Sequence, residues 1–478
     1  MSAAITLNDL GLIQGDILIN GFPKKAEIFC FFTIRAAGAF SKNIKSTNIA
    51  TGKDVLALRK EISGLPDKQL KKTAMTNIAF TRSGLTKMGD VTDSFRTGLP
   101  DLQKAAPSFW NGMQDPNERN ELGDPEFKEW NAAVGSSNGV GPLDGVLIVA
   151  GSDRDTVRAE LQKVLSQLNG NDEVVKELGR EEGKEREKDP GHEHFGYLDG
   201  VSHPQVIGID GPGDRGKLGF PLDKVNQPKD SSNSVEPGVI LVGRKGDNSN
   251  LPAKPAWARD SSFLVFRKLE QHVGAWNDYV VKNGGSNSKQ FGAQLMGRWK
   301  SGCPIQKSPD DDVPKLAFEN DFKFARGDAK NCPFAAHIRK SHIRQGLNSS
   351  RIMRRGIPYG GDFVDGGPDK DRGLLFACYQ STIERGYGFI QKAWANKADF
   401  PEIGKSGFDV TIGQSKDTKA NQFFVANGSR STPINPANDF VTTKGGEYFF
   451  VPSINLLKNG FDLSQLPKPK VGQPELKA

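Results

Sequence analysis

The longest apolar run in the chain, Ile28-Phe-Cys-Phe-Phe-Thr-Ile34, has only the length of a strand, and nothing approaches the roughly 18 apolar residues of a membrane span. A chain whose greasiest segments are this short buries them by packing many short elements in layers. A soluble protein is expected, without a membrane partner. With 478 residues, 36% of them hydrophobic and 25% charged, there is room for two or three domains with their own cores.

The pattern along the chain alternates strand and helix. Strands are predicted over 27–35, 76–81 and 145–150, and a short helix over 54–62. After Ser152-Asp153, a good N-cap, Val157, Leu161, Val164, Leu165 and Leu168 fall on one helical face. The charged stretch Lys176-Glu-Leu-Gly-Arg-Glu-Glu-Gly-Lys-Glu-Arg-Glu-Lys-Asp-Pro190 reads as a solvated loop or exposed helix, and the Gly/Pro-rich segments at 209–216 and 228–234 read as loops where two halves meet. The second half repeats this alternation, with a strand over 262–269 and a helix over 271–280, a strand over 373–380 and a helix over 389–394, and a last strand over 447–451. Two similar units without a short repeat period point to a duplicated α+β domain, divided here as 1–208 and 209–478.

A formal net charge of +7, with lysines and arginines interspersed among acids, gives no footprint for nucleic acid. The cysteines at 30, 303, 332 and 378 have neither paired spacing nor a C-x-x-C-H pattern, so no disulfide framework and no covalent haem attachment are expected. Two sequons, Asn348-Ser-Ser350 and Asn427-Gly-Ser429, matter only for an exported protein. No basic segment followed by an apolar core stands at the N-terminus, and no signal peptide is expected in this chain.

Six histidines occur, at 192, 194, 203, 272, 337 and 342. His337, in Cys332-Pro-Phe-Ala-Ala-His-Ile-Arg-Lys340, has small or apolar neighbours that let a flat macrocycle approach, and an imidazole is a good axial ligand for haem iron. On composition alone a core histidine is the commoner outcome. His192 and His194 flank Glu193 and face one side of an extended segment, but no third metal ligand is evident. Asp199, in Phe195-Gly-Tyr-Leu-Asp-Gly200, sits in a turn dipeptide, and as a carboxylate it suits the proton shuttling that peroxide cleavage needs. Arg354 and Arg355 are adjacent and point different ways on any regular element, so only one can face a bound iron.

Taken together these segments resemble the dye-decolorising peroxidase family, in particular its longer fungal members. The family's G-x-x-D-G motif is matched by Gly196-Tyr-Leu-Asp-Gly200, its proximal-histidine region by Pro333-Phe-Ala-Ala-His-Ile-Arg-Lys340, and its distal-arginine region by Ile352-Met-Arg-Arg-Gly-Ile-Pro-Tyr359. The following strand is matched by Gly373-Leu-Leu-Phe-Ala-Cys-Tyr-Gln380, and the opening by Ile13-Gln-Gly-Asp-Ile-Leu18 and Phe22-Pro-Lys-Lys25. The resemblance implies two ferredoxin-like domains with antiparallel sheets and peripheral helices, and one noncovalent heme b in the C-terminal half, facing the inter-domain side. Carried over residue by residue, it makes His337 the axial ligand, Asp199 the acid-base residue and Arg354 the distal arginine. Leu374 and Phe376 then line the haem pocket, Arg339 pairs with a propionate, and Glu384 is the candidate acid behind His337.

The activity so implied is reduction of hydrogen peroxide with one-electron oxidation of dyes, phenols and other bulky aromatic donors through an oxyferryl intermediate, in an extracellular protein; a cytoplasmic location is the alternative. The rival readings are a haem-binding or iron-handling protein with incidental peroxidase activity, which needs His337 but not Asp199, and an interaction protein on the same scaffold without haem. Trp257, Tyr359, Tyr387 and Trp394 are conceivable surface oxidation sites.

Overall fold

The computed structural model describes residues 5–63, 71–131, 133–134, 141–209, 233–247, 251–327, 329–344, 346, 348–365, 370–414, 423–427, 430–434 and 440–466. Its centre is a nine-stranded antiparallel sheet. The first half contributes β1 (Ala26–Ile34), β2 (Ala74–Phe80), β3 (Gly145–Gly151) and β4 (Val175–Lys184). The second contributes β5 (Ser262–Gln271), β6 (Met353–Arg354), β7 (Ile357–Tyr359), β8 (Gly373–Gln380) and β9 (Val441–Val451).

The strand order is β4-β1-β3-β2-β9-β5-β8-β6, with β7 also on β8. Within each half the spatial order is fourth, first, third, second, with β6 and β7, which both pair with β8, together taking the second place in the C-terminal half; this is the order of a ferredoxin-like unit. The expected duplication is therefore visible as two units. They join where Phe450 of β9 pairs with Phe80 of β2, and the far edges also meet. Gly183 on β4 lies so close to β7 that a Cβ there would stand 2.2 Å from Ile357 Cγ2, and the sheet thus curls toward a barrel.

This architecture explains why β1 is buried at every position. Phe29 and Phe31 point inward, with ring centroids 4.8 and 5.2 Å from Phe266. Cys30 and Phe32 point to the opposite layer, under the outer helices. The helix α2 (Arg154–Asn169) is capped by Asp153, whose carboxylate accepts from Thr156 N at 2.8 Å, and of the predicted face it buries Val157, Leu161, Val164 and Leu168, with Leu165 partly buried. Earlier in the chain α1 spans Gly52–Ser63. Phe266→Ala, opening the interior where both rings of β1 converge, is expected to cost about 3–5 kcal/mol, measured by denaturant unfolding of the apoprotein.

Three local expectations need correction. The charged stretch 176–190 is neither loop nor helix through Lys184, but the strand β4. The buried β1 needs a ladder partner, and the half-buried charges of β4 find counter-ions: Arg180 with Glu177 (2.5 Å), Arg158 with Glu182 (2.7 Å), and Lys268 with Glu181 (3.2 Å). The helix predicted over 271–280 is α3 (Val273–Gly284), because Gln271 still belongs to β5. The helix at 389–394 is a π-helical turn, Ile390–Ala395, entered through Tyr387–Phe389. The loop expected at 209–216, apart from Ile209, and most of that at 228–234 lie outside the described residues, while Ser234 opens a two-residue strand. Among the described residues no helix is long and apolar enough to cross a membrane.

Candidate active site

The cavity that gathers the motif residues is built on the outer face of β8, β5 and β9. Strand alternation decides which side chains reach it. On β8, Leu374 and Phe376 face the cavity while Leu375 and Ala377 go to the barrel interior. Register places Leu269 opposite Leu374 and Arg267 opposite Phe376, and Leu269 and Arg267 line the cavity too. Met296, Ile338, Ile352, Ile390 and Val441 complete apolar walls. Arg267 is buried beneath the floor, bonded to Tyr387 Oη (2.6 Å), Thr443 Oγ1 (2.6 Å) and Asp124.

Asp199 enters from a tightly tied loop. Gly196 and Gly200 take φ of +87° and +74°, conformations that favour glycine. The buried Glu193 accepts from Phe195 N and Tyr197 N, both at 2.8 Å, and from Gln271 Nε2; Asp199 N donates to Gly191 O at 2.9 Å. In the cavity Arg354 Nη1 donates to Asp199 Oδ1 at 2.5 Å. Burial would raise the Asp199 pKa, but the Arg354 guanidinium and the Gly200 amide outweigh it and hold the carboxyl at about 2.

The adjacent arginines diverge as their neighbourhood on β6 requires. Arg354 lines the cavity, whereas Arg355 turns into the N-terminal segment, donating to Asp16 O (2.8 Å) and Ile17 O (3.2 Å).

His337 opens the short helix α4 (His337–Ser341), and its ring lines the same cavity. Its Nδ1 lies 2.8 Å from Asp409 Oδ2 and 2.9 Å from Thr411 Oγ1. Burial would lower the His337 pKa, yet the carboxylate outweighs it and the shift is upward; Asp409, penalised by burial, is held below its usual range by His337 and by the amides of Ile412 and Thr411. A proton on Nδ1 is thus fixed by Asp409, which leaves Nε2 as the nitrogen for a metal.

The acid behind His337 is therefore Asp409, not Glu384. Glu384 lies elsewhere, its Oε1 accepting from Ser108 N at 2.8 Å. Nothing local marks Asp409 in the sequence: it sits 72 residues from His337, in a segment without helical or strand periodicity. Arg339 is also misplaced by the resemblance. Two residues on a helix are about 200° apart, so Arg339 points away from the side His337 faces. It is buried over the rings of Phe324 and Phe334, with Nη1 on Cys332 O at 2.6 Å, and does not line the cavity.

Besides Arg267 and Arg354, the cations that line it are Arg298, Arg344 and Arg351. Arg351 Nη1 lies 2.7 Å from Nδ1 of His342, whose pKa burial and the guanidiniums of Arg351 and Arg344 push well below the usual value. The sequence clue to them is the basic spacing Arg339, His342, Arg344, with Arg351 directly before the Ile352-Met353 motif. The donor set fits haem: one nitrogen for iron, apolar walls for a macrocycle, and guanidiniums for its two carboxylates.

The other histidines do not converge on a metal. His192 Nδ1 faces Pro190 O at 3.0 Å and His194 Nε2 faces Tyr359 O at 2.8 Å, and among the described residues no metal-holding group of three ligands forms. Tyr359, Tyr387 and Trp394 are buried, which removes them as surface oxidation sites, whereas Trp257 is only partly buried.

Comparison with known proteins agrees along the chain. Residues 12–187 match the DyP dimeric alpha+beta barrel domain, and residues 225–402 match the Dyp-type peroxidase C-terminal domain. Peroxidase 2 of Mycetinis scorodonius is 34% identical over 96% of this chain and 88% of its own length. A dye-decolorizing peroxidase of Auricularia auricula-judae is 32% identical over 93% of this chain and 85% of its own. Among solved structures, an ancestral D-type dye decolorizing peroxidase is similar at a TM-score of 0.81 and 37% identity, covering 96% of this chain and 100% of that one. With relatives of this closeness over nearly its whole length, and both domain profiles in order, the chain belongs to the dye-decolorising peroxidase family, whose members are haem peroxidases.

Proposed function

We propose that the cavity holds one noncovalent heme b, whose iron His337 Nε2 would bind, and that Asp199 and Arg354 activate hydrogen peroxide there. The haem supplies the redox centre that accepts the oxidising equivalents of peroxide and passes them on to donors in single-electron steps. Every other part of the chemistry falls to side chains. The Asp199 carboxylate takes the proton from one peroxide oxygen and delivers it to the other, which departs as water when the O–O bond breaks. Arg354, always charged, stabilises the negative charge that gathers on the departing oxygen. Arg298, Arg344 and Arg351, which also donate to Gly302 O, Asn320 O and Ser202 O, would supply the positive charge that holds the propionates, and Leu374 and Phe376 would keep the reacting side apolar. Glu193, through the two amides it accepts from, fixes the loop that carries Asp199.

The observation that carries this reading is the Arg354–Asp199 pair, held 2.5 Å apart in the cavity that His337 also lines. Dyes and phenols are the proposed donors: relatives are named for dye decolorisation, and a solved relative at 31% identity and a TM-score of 0.76 is a complex with 2,6-dimethoxyphenol. An extracellular location is proposed from the resemblance. Asn348 makes a poor glycan acceptor, since its Nδ2 donates to Ser234 O at 3.0 Å.

The test compares the two adjacent arginines. Arg354→Leu is expected to slow the spectral change on rapid mixing with peroxide by about two to three powers of ten. Arg355→Leu is expected to lower thermal stability while leaving that rate within a few-fold. A larger rate defect in the Arg355 variant would reverse the assignment.

A further inference from the structure

Lys340 lies one turn past His337 on α4 and is fully buried. Its Nζ donates to three main-chain carbonyls, those of Lys397 (2.6 Å), Phe400 (2.6 Å) and Gly407 (2.9 Å). An ammonium has three protons, so all three are engaged by a single stretch of chain. Two residues beyond Gly407 that stretch reaches Asp409. The ammonium also stands 5.6 Å from the centroid of the Phe400 ring, which stacks on Trp394 at 5.2 Å.

We propose that Lys340 is a positioning residue for the proximal histidine: it ties α4 to the 397–407 segment and so sets Asp409 Oδ2 against His337 Nδ1. The inference rests on His337 being the axial ligand. Burying an ammonium is costly, and a methionine fills the same volume without that penalty. What methionine cannot do is satisfy three buried carbonyls at once, and leaving them unpaired favours rearrangement of the segment that carries Asp409.

Two effects of removing Lys340 oppose each other. Burial pulls the Lys340 pKa down to about 7 and the Asp409 charge opposes that pull; where Nζ is an ammonium, losing its charge alone makes the carboxylate a stronger acceptor and drives the iron potential negative. Losing the tether lengthens or misaligns the 2.8 Å bond, weakens imidazolate character and drives the potential positive. Hydrogen bonds weaken steeply with misalignment, so the tether is the larger effect.

In the holoenzyme, Lys340→Met is expected to lower the iron–histidine stretching frequency of the ferrous protein and to move the midpoint potential to more positive values. Both shifts run in the direction of Asp409→Asn and add little to it in the double variant. In the apoprotein, amide exchange across residues 398–409 is expected to quicken by about tenfold or more, the weight of one charge-assisted hydrogen bond. Lys340→Gln keeps two donors and is expected to fall between wild type and Met, which serves if the Met variant does not fold. An unchanged or more negative potential, or full additivity with Asp409→Asn, overturns the tether. A His337→Ala variant that keeps its Soret band defeats the ligand assignment instead, so the two failures are distinguishable.

Discussion

His337→Ala is expected to yield a folded protein that purifies with little or no haem. The ring projects into the cavity with 27% of its side chain exposed, so removing it opens space at the cavity wall and leaves the barrel core intact. The main side effect falls on Asp409, whose Oδ2 loses its partner while Oδ1 keeps Thr411 N, Thr411 Oγ1 and Ile412 N. One buried acceptor left without a donor costs about 1–3 kcal/mol, a shift in apoprotein melting that does not abolish folding. His342 also lines the cavity but cannot substitute. The Arg351 guanidinium stands 2.7 and 2.9 Å from its two ring nitrogens and repels a second cation there. Haem-to-protein ratio and the Soret band measure the outcome. Imidazole added to the variant is expected to restore both in part, because the cavity then offers the volume of the missing ring. Full haem content with an unchanged spectrum would show that iron is held elsewhere.

How far the sequence discloses this site depends on whether a residue's neighbours in the chain are also its neighbours in space. The Asp199 loop, α4 and β6 with β8 are each local segments whose glycines, helix start or strand alternation orient one side chain, and Asp199, His337, Arg354, Leu374 and Phe376 all line one cavity. Asp409 is different in kind. It reaches His337 through tertiary bonds alone: besides the Lys340 bonds to the 397–407 segment, residues of the π-helical turn Ile390–Ala395 and Asn396 brace its segment, Asp409 N donating to Ala395 O, Gln391 Nε2 to Ile412 O, and Gln414 N to Asn396 Oδ1. No periodicity encodes such bracing. β4 escapes sequence reasoning for a related cause, since charge density argues for exposure only when no buried strand lacks a partner. Here β1 needs one, and paired charges on a half-buried edge are the solution. The two-unit pattern, by contrast, is legible because each unit repeats the same strand order with its own helices.

The expected result that separates a peroxidase from a haem carrier is the behaviour of Asp199→Asn. Asparagine keeps size and polarity but cannot accept the peroxide proton, so haem occupancy is expected to stay normal while peroxide activation slows by about two to four powers of ten. Part of the rate survives in Arg354, whose charge stabilisation does not depend on proton transfer. The pH dependence gives a second, independent signature. Against the burial that alone would raise it, the guanidinium beside Asp199 holds its pKa at about 2, below the ordinary 3.8. A depressed carboxylate pKa means that the base is ionised throughout the range above about 2 and is lost only as pH falls through that value. Wild-type activation is therefore expected to persist well into acid, with its acid limb set by Asp199; the Asn variant is expected to lack that limb and to be slow at every pH. The same sign applies to stability, since the Asp199–Arg354 attraction is fully present above 3.8 and fades toward 2. Both partners are about a third exposed, so that contribution is small and the kinetic effect dominates. Rapid mixing with peroxide at several pH values, at matched haem occupancy, measures the whole comparison. An Asn variant as fast as wild type throughout would make Asp199 a turn residue, move the proton to water or another acid, and leave the chain a haem-binding protein whose peroxidase activity is incidental.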